Sequence, residues 1–127
     1  MMVVDTSALM AILLGEPEAD SCIAALEADD DLVISAGTVA EALIVANRRN
    51  VGEEMGRLLD DLGFQIVTVT QASAQRVAAA YEAWGKGIHR ASLNFGDCFA
   101  YETAKERGAP LLYVGDDFSR TDIEGVL

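Results

Sequence analysis

Met1-Met2-Val3-Val4-Asp5-Thr6-Ser7 is a short apolar run that stops on a carboxylate. Such a run reads as a buried strand over Val3 to Asp5, and Ser7 can cap a helix that continues to Leu14. Three later runs have the same character: Leu32 to Ser35, Phe64 to Val69 and Leu111 to Val114. Helical spacing fills the intervals. Gly15 ends the first helix, and Pro17 restarts one in its favoured first-turn position, with Ile23 and Leu26 facing inward. A helix from about Gly37 to Arg49 places Val39, Leu43 and Ala46 on one face. Val51, Met55, Leu58, Leu59 and Leu62 then recur at helical spacing until Gly63 supplies the stop.

Thr70 opens a helix with the apolar stripe Ala74, Val77, Ala78, Tyr81 and Trp84. From Gly85 to Leu93 the pattern breaks into an expected flexible loop. Asn94 begins a further helix through Arg107, closed by Gly108-Ala109-Pro110, and Gly115 to Leu127 has room for a turn and an edge strand. Strands that alternate with helices imply a mainly parallel sheet covered on both faces, with right-handed crossovers. The expectation is one α/β domain over residues 1–127, built as three layers, α/β/α.

A chain of 127 residues with 51% apolar content can bury a core without a staple. Cys22 and Cys98 sit far apart in helix-like segments and read as buried free thiols of a reducing cytosol. Met1-Met2 has no basic flank, and Ala8 to Leu14 is too short to span a bilayer, so neither a signal peptide nor a membrane anchor is expected. The net charge of −12 is harder to place, because so acidic a surface repels nucleic acid backbones. Either nucleic acid is not the substrate, or metal ions and a local basic strip offset the field at the site. A basic protein partner would also suit that charge.

Acids recur where elements begin or end: Asp5, Glu41, Asp97 and the pair Asp116-Asp117. The carboxyl ends of parallel strands converge on one edge, where such folds bind ligands. Acids gathered there repel one another by roughly 1 to 4 kcal/mol per close pair, which a cation relieves. Each acid also has a structural explanation. Asp5 can cap a helix. Thr38-Val39-Ala40-Glu41 fits a capping box, and taken alone Glu41 reads as structural. Asp97 lies in a first turn, where the helix dipole favours it, and Tyr101 one turn on reads as core. Asp116-Asp117 suits a plain acidic turn. The set points to a magnesium or manganese site for phosphodiester chemistry. A phosphoacceptor signalling domain fits less well, since Gln65-Ile66-Val67-Thr68-Val69-Thr70 ends its strand on threonine.

His89 is the single histidine, too few for a histidine-rich zinc site, and reads as a solvated loop residue. With Lys86 and Arg90 it offers contacts to substrate phosphates. Arg48 and Arg49 are either part of the same basic strip or a solvated helix end.

Three segments together resemble one family. They are Val4-Asp5-Thr6-Ser7-Ala8-Leu9, then His89-Arg90-Ala91-Ser92-Leu93-Asn94-Phe95-Gly96-Asp97-Cys98, and the tail Leu111-Leu112-Tyr113-Val114-Gly115-Asp116-Asp117-Phe118-Ser119-Arg120-Thr121-Asp122-Ile123. With Glu41 in the third helix, the chain resembles a PIN-domain ribonuclease of the VapC toxin type over nearly its whole length. The resemblance implies that Asp5, Glu41 and Asp97 are metal-binding acids, with Asp116 the first choice for a fourth and Asp117 the alternative. It implies Thr6 as a polar residue beside the first acid, bonding substrate or water. It also implies Mg2+ or Mn2+ as cofactor, RNA as substrate, a cognate VapB-like antitoxin and a homodimer.

Overall fold

A computed structural model describes residues 1–127. The elements run β1 (Met2–Val4), α1 (Thr6–Leu14), α2 (Ala19–Ala28), β2 (Leu32–Ser35), α3 (Ala36–Arg48), α4 (Gly52–Asp61), β3 (Gln65–Val67), α5 (Gln71–Trp84), α6 (Phe95–Arg107) and β4 (Leu111–Leu112). One 3₁₀ turn, Phe118–Arg120, follows. The strands lie in the order β3-β2-β1-β4, and every neighbouring pair is parallel. The tail adds a single parallel bridge, Gly125 beside Leu111, where an edge strand was expected.

All three residues of β1 are buried, because the sheet is covered on both sides. Alternation along the strands divides the core in two. Met2, Val4, Leu32, Ile34 and Leu112 pack with Leu9, Cys22, Leu26, Ala42 and Met55, from α1 to α4. Val3, Val33 and Leu111 face the other way, onto Val77, Ala80, Tyr101 and Ala104 of α5 and α6. Three layers, α/β/α, result. Each fully buried Val or Leu contributes about 1.5–3 kcal/mol, so packing rather than strand length sustains these short strands. Both cysteines are free and buried. No helix is long and apolar enough to cross a membrane.

Several sequence-based expectations shift. The cap of α1 is Asp5, two residues earlier than Ser7, because the Asp5 carboxylate accepts the Ser7 backbone N–H. Ile23 stays exposed, and α2 buries Ala19, Cys22 and Leu26 instead. The inward face of α5 is Ser73, Val77 and Ala80, which leaves Ala74 and Ala78 outside. β3 is shorter than Phe64 to Val69 and lies exposed at the sheet edge, since only β2 flanks it. The segment from Gly85 to Leu93, expected as an open loop, closes on itself through backbone hydrogen bonds. Lys86 N–H donates to Leu93 O at 2.9 Å and Leu93 N–H to Trp84 O at 3.0 Å, over fully buried Ala91 and Leu93.

The order of the strands reverses at β1. The chain leaves β1 toward β2 and β3 on one side, while β4 returns on the other. Between β1 and β4 lies the crevice at the carboxyl edge, the position where open parallel sheets bind ligands.

Candidate active site

Asp5 is the residue that follows β1, at the mouth of this crevice, and is 2% exposed. Its Oδ2 accepts the Ser7 N–H at 3.0 Å and the Ser7 hydroxyl at 2.7 Å, whereas Oδ1 is buried with no partner. Burial, followed by the nearby charge of Glu41, pushes the carboxyl up to about 6 against Ser7's opposing hydrogen bonds. A buried carboxylate with an orphaned oxygen is costly unless something else completes it.

Glu41 reaches the same place from α3. Its Oε1 accepts the Thr6 hydroxyl at 2.6 Å. The capping-box explanation for Glu41 is not realised: Ser35 caps α3, its hydroxyl accepting the Gly37 N–H, and Thr38 is fully buried. The helix starts too early for Thr38 to be the cap, which leaves Glu41 free to point at the strand edge.

Asp97 is at the third position of α6. There it does two things at once. Its Oδ2 accepts the Asn94 N–H at 2.9 Å while its own N–H donates to the Asn94 side chain at 2.8 Å, a reciprocal cap. Burial also pushes its carboxyl up to about 7, opposed by the Asn94 bond and reinforced by the charges of Asp5, Glu41 and Asp117. Three acids from β1, α3 and α6 therefore share one electrostatic neighbourhood. Of the tail aspartates, Asp117 is the one whose charge registers at Asp97. Asp116 contributes its backbone carbonyl, which accepts the Ser119 hydroxyl.

None of Asp5, Glu41, Asp97 or Asp117 takes part in an ion pair, although six other contacts pair the chain's cations with other acids. No three acidic, histidine or cysteine side chains stand close enough together to hold a metal ion between them. The donor set is nonetheless all oxygen, with Oδ1 of Asp5 unclaimed. Magnesium binds through one or two carboxylates and keeps several waters, so an open arrangement of this kind suits it better than a cage would.

The basic residues are more dispersed. Lys86 lines a hollow with Tyr81, Asn94 and Phe95, next to the start of α6. Arg90 is exposed on the same connection. His89 is half-buried rather than solvated: its ring meets Trp84 edge-on at 4.8 Å and its Nδ1 accepts the Ala91 N–H. Arg48 and Arg49 are a solvated helix end, about 10 Å further along α3 than Glu41 and away from the carboxyl edge.

Other contributors were not singled out in the sequence. A Cβ on Gly96 would lie 1.7 Å from Glu41 Oε2, and one on Gly37 would lie 2.4 Å from the Phe99 ring. These two glycines let α6 close on α3. Glycine inside a helix costs roughly 1 kcal/mol against alanine, and that oddity in Asn94-Phe95-Gly96-Asp97 was the available signal. One turn further along α6 from Asp97, Trp84 Nε1 donates to Tyr101 Oη at 3.0 Å, and that hydroxyl donates to Asp122 at 2.5 Å. Lys105 completes the chain at 3.0 Å from Asp122. Nothing in the sequence spacing pointed to Asp122.

A model of the PIN domain matches residues 2–124. The chain is 46% identical over 129 residues to ribonuclease VapC30 of Mycobacterium tuberculosis, covering 98% of each. Its fold is similar to that of the crystal structure of Mycobacterium tuberculosis VapC20, a sarcin-ricin loop cleaving toxin, with a TM-score of 0.82 at 15% identity over 99% of this chain and 98% of that one. A toxin-antitoxin complex from Klebsiella pneumoniae contains a similar fold, with a TM-score of 0.70 at 23% identity over 96% and 93% of the two chains. Matched over nearly its full length, the chain belongs to the PIN domain family, among the VapC ribonucleases.

Proposed function

We propose that this chain is an endoribonuclease toxin that hydrolyses RNA phosphodiester bonds with Mg2+ or Mn2+ and is neutralised by a cognate VapB-like antitoxin. The observation that carries the reading is the buried Asp5 carboxylate, one oxygen unpartnered, within Coulombic reach of Glu41 and Asp97 and without any cation of the chain's own. The sequence relationship to VapC ribonucleases supports the reaction class.

In this reading Asp5 and Asp97 hold the ion directly. Glu41, steadied by Thr6, and Asp117 hold its outer sphere or a second ion, with Asp116 placing Asp117 through the turn. A bound divalent ion supplies an acidified water and neutralises charge on the leaving oxygen. Lys86, Arg90 and His89 contact flanking phosphates and so offset locally the −12 net charge. Single-stranded RNA fits best, because its bases can splay out around an open edge.

The antitoxin reading is supported by charge and shape. A hollow floored by Ile12, Ile23, Leu26 and Leu58 is rimmed by Glu27, Asp30 and Asp61, a surface suited to an amphipathic basic segment. A homodimer in the cytoplasm completes the reading. The deciding test incubates the purified chain with single-stranded RNA and Mg2+ or Mn2+, with and without chelator, beside Asp97→Asn. Metal-dependent cleavage absent from the variant supports the function; equal cleavage by both sinks it.

A further inference from the structure

We propose that Ser7 is a positioning residue: its hydroxyl ties Asp5 to the end of β4 and thereby sets where the tail acids stand relative to the first acid. Ser7 Oγ lies 2.7 Å from Asp5 Oδ2 and 3.0 Å from the backbone N of Val114, joining positions 107 residues apart. The direction of both bonds is fixed. An N–H can only donate, so the Val114 amide occupies a lone pair of the hydroxyl, and the hydroxyl proton goes to Asp5.

Two consequences follow from that direction. Asp5 Oδ2 is occupied by the Ser7 amide and hydroxyl together, which leaves the buried, unpartnered Oδ1 as the oxygen free for a ligand. Val114 is also the last residue before Gly115, whose φ of 105° turns the chain into Asp116-Asp117. A tie at Val114 therefore fixes the start of that turn. Removing the hydroxyl strands the Val114 N–H and leaves Asp5 Oδ2 held by the Ser7 amide alone. The consequence for metal binding rests on the proposed role of Asp5; the tie itself does not.

The test compares the full chain with Ser7→Ala and Ser7→Thr by amide NMR, first metal-free and then with Mn2+. In the metal-free protein, exchange at the Val114 amide should be about tenfold faster in Ser7→Ala and near wild type in Ser7→Thr, which keeps the hydroxyl. On adding Mn2+, affinity should fall about 10- to 100-fold in Ser7→Ala. Paramagnetic broadening should persist at Asp97 but weaken at Asp117 in that variant. Unchanged exchange at Val114, wild-type Mn2+ binding with full broadening at Asp117, or a Ser7→Thr protein that behaves as Ser7→Ala would each overturn the proposal. A wild-type chain that binds no Mn2+ yet shows the exchange pattern would defeat the metal reading and uphold the tie.

Discussion

The hydroxyl of Thr6 donates to the Glu41 carboxylate at 2.6 Å, joining the first residue of α1 to the middle of α3. On the other side of Glu41 stands Gly96, with no room for a side chain. Glu41 is thus held from two directions, at the edge where Asp5 and Asp97 are buried. Replacing Gly96 by Ala should drive the carboxylate away and lower RNA cleavage at least about tenfold, even though alanine favours the helix. Gly56→Ala in α4, where an added Cβ meets nothing within 4 Å, should instead gain about 0.5–1 kcal/mol and leave cleavage unchanged. Denaturation curves and cleavage assays on both variants check the contrast.

The pH dependence of stability should carry the mark of the buried acids. Asp97 is held at about 7 and Asp5 at about 6, against 3.8 for an ordinary aspartate, chiefly by burial. Between those limits the folded chain binds more protons than the unfolded one. By linkage, stability is greatest below about pH 4 for these groups and is lost as pH rises to about 7. Metal-free protein should melt higher at about pH 5 than at about pH 8. Asp97→Asn should flatten that slope while abolishing cleavage, and a steep slope in the variant would contradict the assignment.

Adding Mg2+ or Mn2+ should oppose the same trend, because a bound cation compensates the charges that burial penalises. At a free concentration of 100 times Kd, linkage gives about 2.7 kcal/mol of added stability. Thermal melts at neutral pH with millimolar metal and with chelator measure it. No shift at any metal concentration would count against a formed site.

Tyr101→Phe removes the hydroxyl shared by Trp84 and Asp122. The expected cost is about 1–3 kcal/mol of stability, since two partners lose a bond. Cleavage well below the melting temperature should be intact, because none of these contacts involves Asp5, Glu41 or Asp97. A fall in kcat without loss of stability would show a role in the reaction itself.

Lys86→Ala should raise KM for RNA with little change in kcat and reduce the salt dependence of binding by about one counterion. Arg48→Ala, at the far end of α3, should change neither. Kinetics across a salt series distinguish the two.

The α/β class, the parallel sheet and the order of its elements were legible in the sequence, because hydrophobic period and turn residues are local signals. Asp5 and Asp97 were legible as candidates because each stands at or near an element boundary, whereas Glu41, expected near one, lies in the middle of α3. Their competing structural explanations were equally local and could not be separated there. Asp97 turned out to be both cap and buried acid, while Glu41 lost its capping role once Ser35 began α3. The inward face of α5 went astray because alanine, small and weakly apolar, marks either side of a helix.

By itself, then, the sequence determined which residues form strands and helices and which acids stood available at their ends. Only the tertiary structure decided which oxygen of Asp5 is left unpartnered, that Ser7 spans to Val114, and that a glycine must face Glu41. Periodicity is written within a few residues of the chain, whereas burial and charge coupling arise between side chains that only the closed sheet brings together.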